Sequence, residues 1–389
     1  MTGDRAFSVR FDDLQDGVGL VLADPVSLLV ATDPAEVVPV LTEVEAATQR
    51  GWWAAGYIGY EAAAGLPEAL PVRRAVRGTT FADLPLVWFG LFATCRRDAV
   101  VVGPARGSEL TPLIWRLDDD DMSYAQKVRT VRRFIAAGET YQTNLTTRAR
   151  TVVSGDPMDL YAPLALAQRG RYAACLDTGR FVIASASPEL FFDWRGERLT
   201  TRPMKGTARR GRCPTEDAKR AAALSGSAKE RAENVMIVDL LRNDLGRLAR
   251  PGSVEVPDLC VRERYETVWQ LTSTVTAGVR PGTRLVDVFS ALFPCGSVTG
   301  APKGRTMQII ADLEGSARGV YCGAIGVVPP AGGRSHARFS VAIRTVVADR
   351  DSNDAVYGTG GGVTWDSAPA AEYDELVAKM AILGACSPT

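Results

Sequence analysis

Two apolar runs decide the fold class of this chain: Ala337-Arg338-Phe339-Ser340-Val341-Ala342-Ile343-Arg344-Thr345-Val346-Val347 and, shortly after it, Ala355–Trp365. Both runs predict long strands. Helices are predicted elsewhere, over Leu285–Leu292, Pro302–Leu313 and Ala370–Leu383. Because strands and helices do not alternate regularly, we expect a mixed α+β architecture rather than a doubly wound one.

The rest of the chain follows the same mixed pattern. Its predicted elements are a helix near Ala35–Arg50, a hinge or helix entry at Asp118–Asp121, a helix over Ser123–Ala137, a strand over Tyr141–Arg148, a β-hairpin or pair of strands over Arg180–Trp194, helical sequence over Thr215–Ala249 with a break around Gly226, and a strand over Tyr265–Thr276. At 389 residues, two lobes and one large interleaved domain are both possible. We place a boundary between residues 1–117 and 118–389.

Composition excludes several classes of function. The formal net charge is zero, so no attraction to nucleic acid or to an anionic membrane is implied. No apolar run approaches the roughly 20 residues of a bilayer span, and the first residues show no secretion signal. Seven cysteines without a Cys-x-x-Cys pair predict free thiols and a cytoplasmic protein. With a single histidine, His336, the composition argues against histidine triads and multi-histidine metal sites.

Lysine is rare in this chain, with only six among 45 Lys and Arg residues. One of the six lies in Thr201-Arg202-Pro203-Met204-Lys205-Gly206-Thr207, where the proline and the glycine predict a turn at a strand end. Burial lowers the pKa of an ammonium group and makes it a nucleophile or a base. The alternative is a solvated lysine in a polar turn. Lys205 is therefore a candidate nucleophile.

Two pairs of glutamates occur at helical spacing. Glu230 and Glu233 are three residues apart, and Glu372 and Glu375 repeat that spacing with Lys379 one turn further on. Two helices that each offer one carboxylate to an ion, and a second to its water shell, would suit Mg²⁺. The alternative is two exposed acidic helix faces.

Three other segments carry candidate polar groups. The backbone of Tyr357–Val363 is rich in glycine and offers N–H groups to an anion, although no Walker A spacing occurs in the chain. Arg344 interrupts an apolar strand candidate, so its partner is expected to be either a substrate carboxylate or an internal carboxylate. Glu189 lies between a proline and apolar aromatic residues, which would raise its pKa and make it a general acid; the alternative is a strand-edge glutamate in water.

In their order along the chain, these segments resemble the chorismate-utilising enzymes, which include anthranilate, aminodeoxychorismate, isochorismate and salicylate synthases. The resemblance runs from about residue 120 to 385. It rests on Gly138–Leu145, Ala186–Glu189, Lys205–Thr207, Asp239–Arg247, Gly300–Lys303, Tyr321–Gly326, Gly360–Gly362 and the pair Glu372 and Glu375. It implies large, mostly antiparallel sheets flanked by helices. It also implies that residues 118–389 form a chorismate-binding catalytic domain, preceded by an N-terminal lobe of residues 1–117.

Two positions separate the activities within this family. Isochorismate and salicylate synthases carry a lysine base where this chain has Gln142, which disfavours activation of water. Anthranilate synthases usually have alanine where this chain has Lys205, whereas component I of aminodeoxychorismate synthases has lysine in Pro-Ile-Lys-Gly-Thr. The resemblance is therefore closest to aminodeoxychorismate synthase component I. In one departure, Gln270 takes the place of a histidine that many members have near the leaving hydroxyl.

The resemblance implies a role for each candidate. Lys205 would attack C2 of chorismate while Glu189 protonates the departing C4 hydroxyl, and ammonia would then add at C4. Mg²⁺ would be bound by Glu233 and Glu375, with Glu230 and Glu372 around its waters. The implied substrate contacts are Gln142, Thr299, Tyr321, Arg344, Gly360, Gly361, Gly362 and Lys379.

The resemblance also implies a partner, because nothing in the chain resembles the Cys–His–Glu machinery of a glutamine amidotransferase. Such a subunit would supply the ammonia, and the product, 4-amino-4-deoxychorismate, would lead to p-aminobenzoate and folate. Two alternatives are an anthranilate synthase component I, and a non-catalytic chorismate-binding subunit.

Overall fold

The computed structural model of the chain describes residues 7–103, 113–265, 268–333 and 336–386. Its strands are β1 (Ser8–Asp13), β2 (Val18–Ala23), β3 (Ser27–Ala31), β4 (Trp53–Ile58), β5 (Val87–Phe92), β6 (Arg96–Asp98), β7 (Arg116–Leu117), β8 (Gln142–Val152), β9 (Tyr172–Asp177), β10 (Phe181–Ser187), β11 (Leu190–Arg195), β12 (Arg198–Arg202), β13 (Met204–Arg209), β14 (Glu255–Arg264), β15 (Val268–Gly278), β16 (Gly300–Ala301), β17 (Ala324–Val328), β18 (Ala337–Val341), β19 (Thr345–Asp349) and β20 (Asp354–Val363).

The α-helices are α1 (Pro34–Gln49), α2 (Asp121–Ala136), α3 (Tyr161–Gln168), α4 (Pro214–Gly226), α5 (Ala228–Gly246), α6 (Leu285–Leu292), α7 (Lys303–Leu313) and α8 (Pro369–Lys379). Short 3₁₀ segments occur at Tyr60–Gly65, Pro157–Leu160, Gly296–Val298 and Met380–Cys386.

The strands form two large sheets. Sheet I has the order β16-β8-β20-β19-β10-β9-β1-β2-β6, with β7 also paired to β8. Sheet II has the order β13-β15-β12-β11-β18-β17-β4-β5-β3, with β14 also paired to β15. Within the described ranges every strand pairing is antiparallel, for example β8 with β20 and β13 with β15. The predicted α+β architecture with mostly antiparallel sheets is therefore confirmed.

Both sheets contain strands from either side of residue 117. In sheet I, β1 pairs with β9, and in sheet II, β4 pairs with β17. Residues 1–117 therefore contribute strands to the same two sheets as the rest of the chain. The boundary at residue 117 stays a prediction about the sequence, and it does not separate one sheet from the other.

Apolar side chains hold the layers together. One cluster joins the facing sides of the sheets, with Val9 and Ile183 from sheet I and Tyr57 and Phe92 from sheet II. A larger cluster packs α1, α5 and α6 against sheet II, and another packs α3 against sheet I. Each of these apolar side chains leaves water on folding, which contributes about 25 cal/mol per Å² buried. No helix in the part of the chain that the model describes is long and apolar enough to cross a membrane.

The predicted helix boundaries follow from capping residues. Asp120 accepts a hydrogen bond from the Ser123 backbone at the start of α2, so the acidic run is a helix entry. The break near Gly226 is also confirmed, because Ser227 ends α4 and caps α5 with a hydrogen bond from Glu230 N. α6 has the bounds that the sequence predicts.

One strand prediction is wrong, and a second is confirmed in only one of its two forms. Ala337–Val347 is not one strand: β18 belongs to sheet II and β19 to sheet I, and Arg344 between them has a φ of 54°. Over Arg180–Trp194 the structure has the predicted pair of strands and not the hairpin, because β10 lies in sheet I and β11 in sheet II. In both places the chain crosses from one sheet to the other. Both sides of each crossing are apolar, so the sequence pattern does not show the change of sheet.

Candidate active site

Lys205 lies in β13, at an irregularity of its pairing with β15. Met204 is opposite Thr272 and Thr207 is opposite Gln270, so β13 contains one extra residue between these two pairs. Gly206 has a φ of 88°, a backbone conformation that glycine adopts without strain. The sequence predicted a turn at a strand end, and that prediction is wrong: the proline and the glycine flank a β-bulge. Bulges redirect a side chain and are common beside active sites.

The amine of Lys205 and the amide of Gln142 meet at Gly362 of β20. A methyl group built on Gly362 would lie 3.1 Å from Lys205 Nζ and 2.2 Å from Gln142 Nε2. The distance between the two nitrogens therefore cannot exceed the sum of these two values. The absence of a side chain at Gly362 leaves the space that both groups occupy. The far ends of sheet I and sheet II thus meet at this glycine.

Glu189 lies where the chain crosses from β10 to β11. Its side chain is buried, and Oε1 has no hydrogen-bond partner among the described residues. Burial raises the pKa of the carboxyl to about 7, while a hydrogen bond with Ser297 and the charge of Lys205 act in the opposite direction. At neutral pH a large fraction of this carboxyl is therefore protonated, which a proton donor requires.

The two glutamate pairs lie on α5 and α8. Burial raises the pKa of Glu230, Glu233 and Glu372, and the charge of a neighbouring glutamate adds to the effect in each case. Partial burial acts to raise the pKa of Glu375 as well, but its ion pair with Lys379, together with the charges of Lys205 and Lys229, leaves the pKa below the usual value. The two helices thus bring their carboxylates within electrostatic reach of one another.

The arrangement of the donor groups decides whether a metal ion fits between these helices. Within the described ranges, no three carboxyl, thiol or imidazole groups converge closely enough to bind an ion directly. Mg²⁺ commonly keeps several waters and uses one or two carboxylates. One carboxylate from α5 and one from α8, with water between the ion and the others, is compatible with this arrangement. A site that relied on three or four protein oxygens is not.

Lys379 approaches the neighbouring glycine, Gly361. A methyl group there would lie 3.3 Å from Glu372 Oε2, 3.6 Å from Glu375 Oε1 and 3.7 Å from Lys379 Nζ. Lys379 Nζ donates to the carbonyl of Gly360 at 2.7 Å and pairs with Glu375 at 2.7 Å. Burial lowers the pKa of the ammonium, and Glu375 opposes that effect. Gly361 and Gly362 are successive residues of β20, and successive residues of a strand face opposite sides. Lys379 and Lys205 therefore lie on opposite sides of the glycine tract.

The other predicted substrate contacts border the same tract. The ring of Tyr321 lies against Gly358, where a methyl group would come within 2.2 Å of it. Arg344 donates to the carbonyl of Lys379 at 2.9 Å, so it lies at the strand break and near the end of α8 rather than inside a strand. Thr299 is buried, and its hydroxyl donates to the carbonyl of Cys295 at 3.1 Å.

Sequence reasoning did not single out the residues that support these groups. Arg318 is fully buried, and it donates to the carbonyls of Val298 and Asn144 at 2.7 and 2.8 Å. Asn144 N in turn donates to Thr299 O at 2.7 Å. Arg318 therefore fixes the backbone beside two predicted contacts, Gln142 and Thr299. An arginine in a polar stretch of sequence gives no signal of such a role.

Several acceptors beside the glycine tract lack a partner. The buried atoms Gln142 Oε1, Thr143 Oγ1 and Glu189 Oε1 have no hydrogen bond within the described part of the chain. A buried polar group without a partner costs about 1–3 kcal/mol, so such atoms mark a place where a ligand or water completes the bonding. This site therefore offers an amine, a partly protonated carboxyl and a set of carboxylates around a glycine-lined cleft.

Two surface cavities lie outside this cluster of residues. One of about 520 Å³ is lined by Arg210, Arg262 and Trp269, and one of about 640 Å³ lies between α5 and β14. Neither is lined by a predicted site residue. The candidate site is therefore identified by its buried polar atoms without hydrogen bonds and by its neighbouring charged side chains, and not by the size of a cavity.

Comparison with known proteins agrees with this arrangement. The family described as chorismate binding enzyme matches residues 103–384. Aminodeoxychorismate synthase component 1 of Escherichia coli is 41% identical over 267 residues, which cover 68% of this chain and 58% of that protein. Anthranilate synthase component 1 1 of Haloarcula marismortui is 40% identical over 257 residues, which cover 66% of this chain and 52% of that protein. The chain thus spans a little over half the length of the curated relatives it matches.

Solved structures show the same fold over nearly the whole chain. The crystal structure of anthranilate synthase component I from Streptococcus pneumoniae has a TM-score of 0.80 at 26% identity, and the match covers 94% of this chain and 92% of that one. The menaquinone-specific isochorismate synthase MenF of Escherichia coli has a TM-score of 0.77 at 17% identity, with 99% and 90% covered. At that identity the second likeness concerns the fold alone.

Proposed function

Because the chain belongs to the family of chorismate-binding enzymes, we propose that it aminates chorismate at C4 to give 4-amino-4-deoxychorismate. The observation that carries this proposal is the amine of Lys205 beside Gly362, at 3.1 Å from a methyl group built there. In the family that this chain resembles, anthranilate synthases usually have alanine at the position of Lys205. Several relatives at about 40% identity are named aminodeoxychorismate synthase component 1, which supports the same reaction.

The reaction divides one displacement into two. In the first step, Lys205 Nζ forms a bond to C2, the ring double bonds shift, and the C4 hydroxyl leaves as water with a proton from Glu189. In the second step, ammonia forms a bond to C4, the double bonds shift back, and the C2–nitrogen bond breaks. The proton released by the added ammonia restores the protonation of Glu189. Chorismate and ammonia thus give aminodeoxychorismate and water.

Other residues of the chain bind and orient the substrate in this proposal. Arg344, Tyr321 and the amides of Gly360–Gly362 would hold the carboxylate of the enolpyruvyl side chain, and Lys379 would assist at a carboxylate end. Gln142 lies against Gly362, and its unpaired Oε1 is available to a hydrogen-bond donor. A base such as lysine at this position would favour water as the nucleophile, whereas an amide does not.

The proposal includes Mg²⁺, held by Glu233 and Glu375 with Glu230 and Glu372 around its waters. When bound there, the ion would neutralise the ring carboxylate of the substrate. It also includes a glutamine amidotransferase partner in the cytoplasm, which would supply ammonia. The name "component 1" of the relatives supports a second component, and p-aminobenzoate and folate synthesis would use the product.

Product analysis tests the proposal. We expect chorismate, Mg²⁺ and ammonium to give p-aminobenzoate only when an aminodeoxychorismate lyase is added, and Lys205→Ala to lose nearly all of this activity. Lys219→Ala is the matched control, because Lys219 is exposed on α4 and is not among the predicted site residues. Full activity of Lys205→Ala would remove the covalent step.

Anthranilate synthesis is the second candidate, supported by the Haloarcula relative and by the Streptococcus structure. That reaction would add ammonia at C2 and release pyruvate. Fluorescent anthranilate formed without the lyase would decide for it. A wild-type chain that consumes no chorismate with Mg²⁺ and ammonium would instead be a non-catalytic chorismate-binding subunit.

A further inference from the structure

Each of the two acidic helices carries a lysine one turn away from a predicted metal ligand. On α5, Lys229 precedes Glu233 by four residues, with Nζ 3.9 Å from Oε1. On α8, Lys379 follows Glu375 by four residues, with Nζ 2.7 Å from Oε1. Both predicted direct ligands of the ion are thus already paired with an ammonium group of their own helix.

The two lysines differ in how firmly they are held. Lys379 also donates to the carbonyl of Gly360, and its side chain is only 32% exposed. Lys229 is 56% exposed, and it makes no hydrogen bond within the described part of the chain. Its ammonium can therefore move toward solvent without leaving a buried group unpaired. An exposed, unbonded contact of this kind is weak and is screened by salt.

Lys229 lies in the part of α5 that carries both predicted metal carboxylates of that helix. Lys229, Glu230 and Glu233 all lie in the first two turns of α5. The carboxylate that Lys229 contacts, Glu233, is one of the two that would bind the ion directly.

We infer that Lys229 is an internal counter-ion of the predicted metal site, which compensates the carboxylates of α5 when no divalent cation is bound and is displaced when one binds. The inference rests on the proposed function, because it requires a cation between these helices. Because Lys229 competes with the ion for the same carboxylates, it weakens binding of the ion. It is a positioning residue for the metal carboxylates, and it does not contact the reacting atoms.

The expected size of the effect follows from Coulomb's law. A unit charge about 8 Å from a divalent ion, as an ammonium displaced toward solvent would be, changes the affinity for that ion roughly fivefold in surroundings close to water. Lys229→Met removes the charge and keeps a flexible side chain that favours a helix. We therefore expect Lys229→Met to bind Mg²⁺ about fivefold more tightly than wild type, and Lys229→Arg to bind it like wild type.

Calorimetric titration with Mg²⁺, in the presence of chorismate and without ammonia, measures this affinity directly. Lys219→Met is the matched control, because it removes an exposed helical lysine that forms no ion pair in the described ranges. We expect its affinity to equal that of wild type. The increase in Mg²⁺ affinity of Lys229→Met over wild type should become smaller at about 1 M salt, where the screening length falls to about 3 Å.

A second measurement tests the counter-ion without any metal. In the presence of a chelator, Lys229→Met should melt at a lower temperature than Lys219→Met. Only the first variant removes the positive charge that reduces repulsion between the carboxylates. Equal melting temperatures, or equal Mg²⁺ affinities of Lys229→Met and wild type, would overturn the inference while leaving the proposed function intact. A wild-type chain that binds no Mg²⁺ with chorismate would overturn the metal part of the proposed function, and the inference with it.

Discussion

Gly362→Ala is the perturbation that tests the geometry of the site most sharply. A methyl group at this position would lie 2.2 Å from Gln142 Nε2 and 3.1 Å from Lys205 Nζ. The first distance is far shorter than a normal contact, so the amide must move. Gln142 is only 1% exposed and is enclosed by its neighbours, so it has little space into which to move.

The expected effect of Gly362→Ala has two parts, one on folding stability and one on the reaction rate. Overpacking a buried site costs about 1–3 kcal/mol of folding stability. A shift of about 1 Å in a group that positions the reaction can reduce the rate about 100-fold. We therefore expect Gly362→Ala to lower kcat roughly 100-fold and to remain folded, with a melting temperature a few degrees lower.

The assay is the coupled formation of p-aminobenzoate, together with thermal melting of the same samples. Gly226→Ala is the matched control, since no atom lies within 4 Å of a methyl group built there at the end of α4. We expect the control to keep full activity and equal or higher stability, because alanine reduces the entropy of the unfolded chain. A Gly362→Ala variant with wild-type kcat and stability would refute the close approach of the two sheets at this glycine.

Two further predictions concern Glu189 and the ion pair of Lys303. The pKa of Glu189 is raised to about 7, so amination should slow as the pH rises through 7. Folding stability should fall between pH 4.5, the ordinary pKa of this carboxyl, and about 7, because over that interval the unfolded chain releases the proton and the folded chain keeps it. Glu189→Gln should remove this limb of the pH–rate profile along with most of the activity. Lys303 Nζ lies 2.8 Å from Asp244 Oδ2 in a largely buried pair, so Lys303→Met should cost about 3–5 kcal/mol in urea unfolding. Lys303→Met with Asp244→Asn should recover part of that loss.

The sequence predicts the helices well, because their ends carry local signals. Asp120 and Ser227 cap α2 and α5 through side-chain hydrogen bonds, and both residues are visible in the sequence as cap formers. The glutamate pairs follow from helical spacing, as does their placement on one helix each. These features depend on neighbours within a few residues, which is why they can be read from the chain alone.

The crossings between the sheets could not be predicted in this way. Arg344 lies between β18 and β19, and Glu189 lies between β10 and β11. The sequence marks both residues as unusual charges in apolar surroundings. It predicts one continuous strand around Arg344 and a hairpin or pair of strands around Glu189. Which sheet a strand joins depends on partners more than 100 residues away, such as β4 for β17. The same long-range packing brings Lys205 to Gly362.

The measurement that tests the central claim most directly is the intact mass of the protein after incubation with chorismate and Mg²⁺ in the absence of ammonia. The proposed reaction predicts an adduct with the mass of chorismate less one water, located by proteolysis on the peptide that contains Lys205, and its disappearance when ammonium is added. An enzyme that forms aminodeoxychorismate with ammonium, but never carries this adduct on Lys205, would contradict covalent attack by that amine.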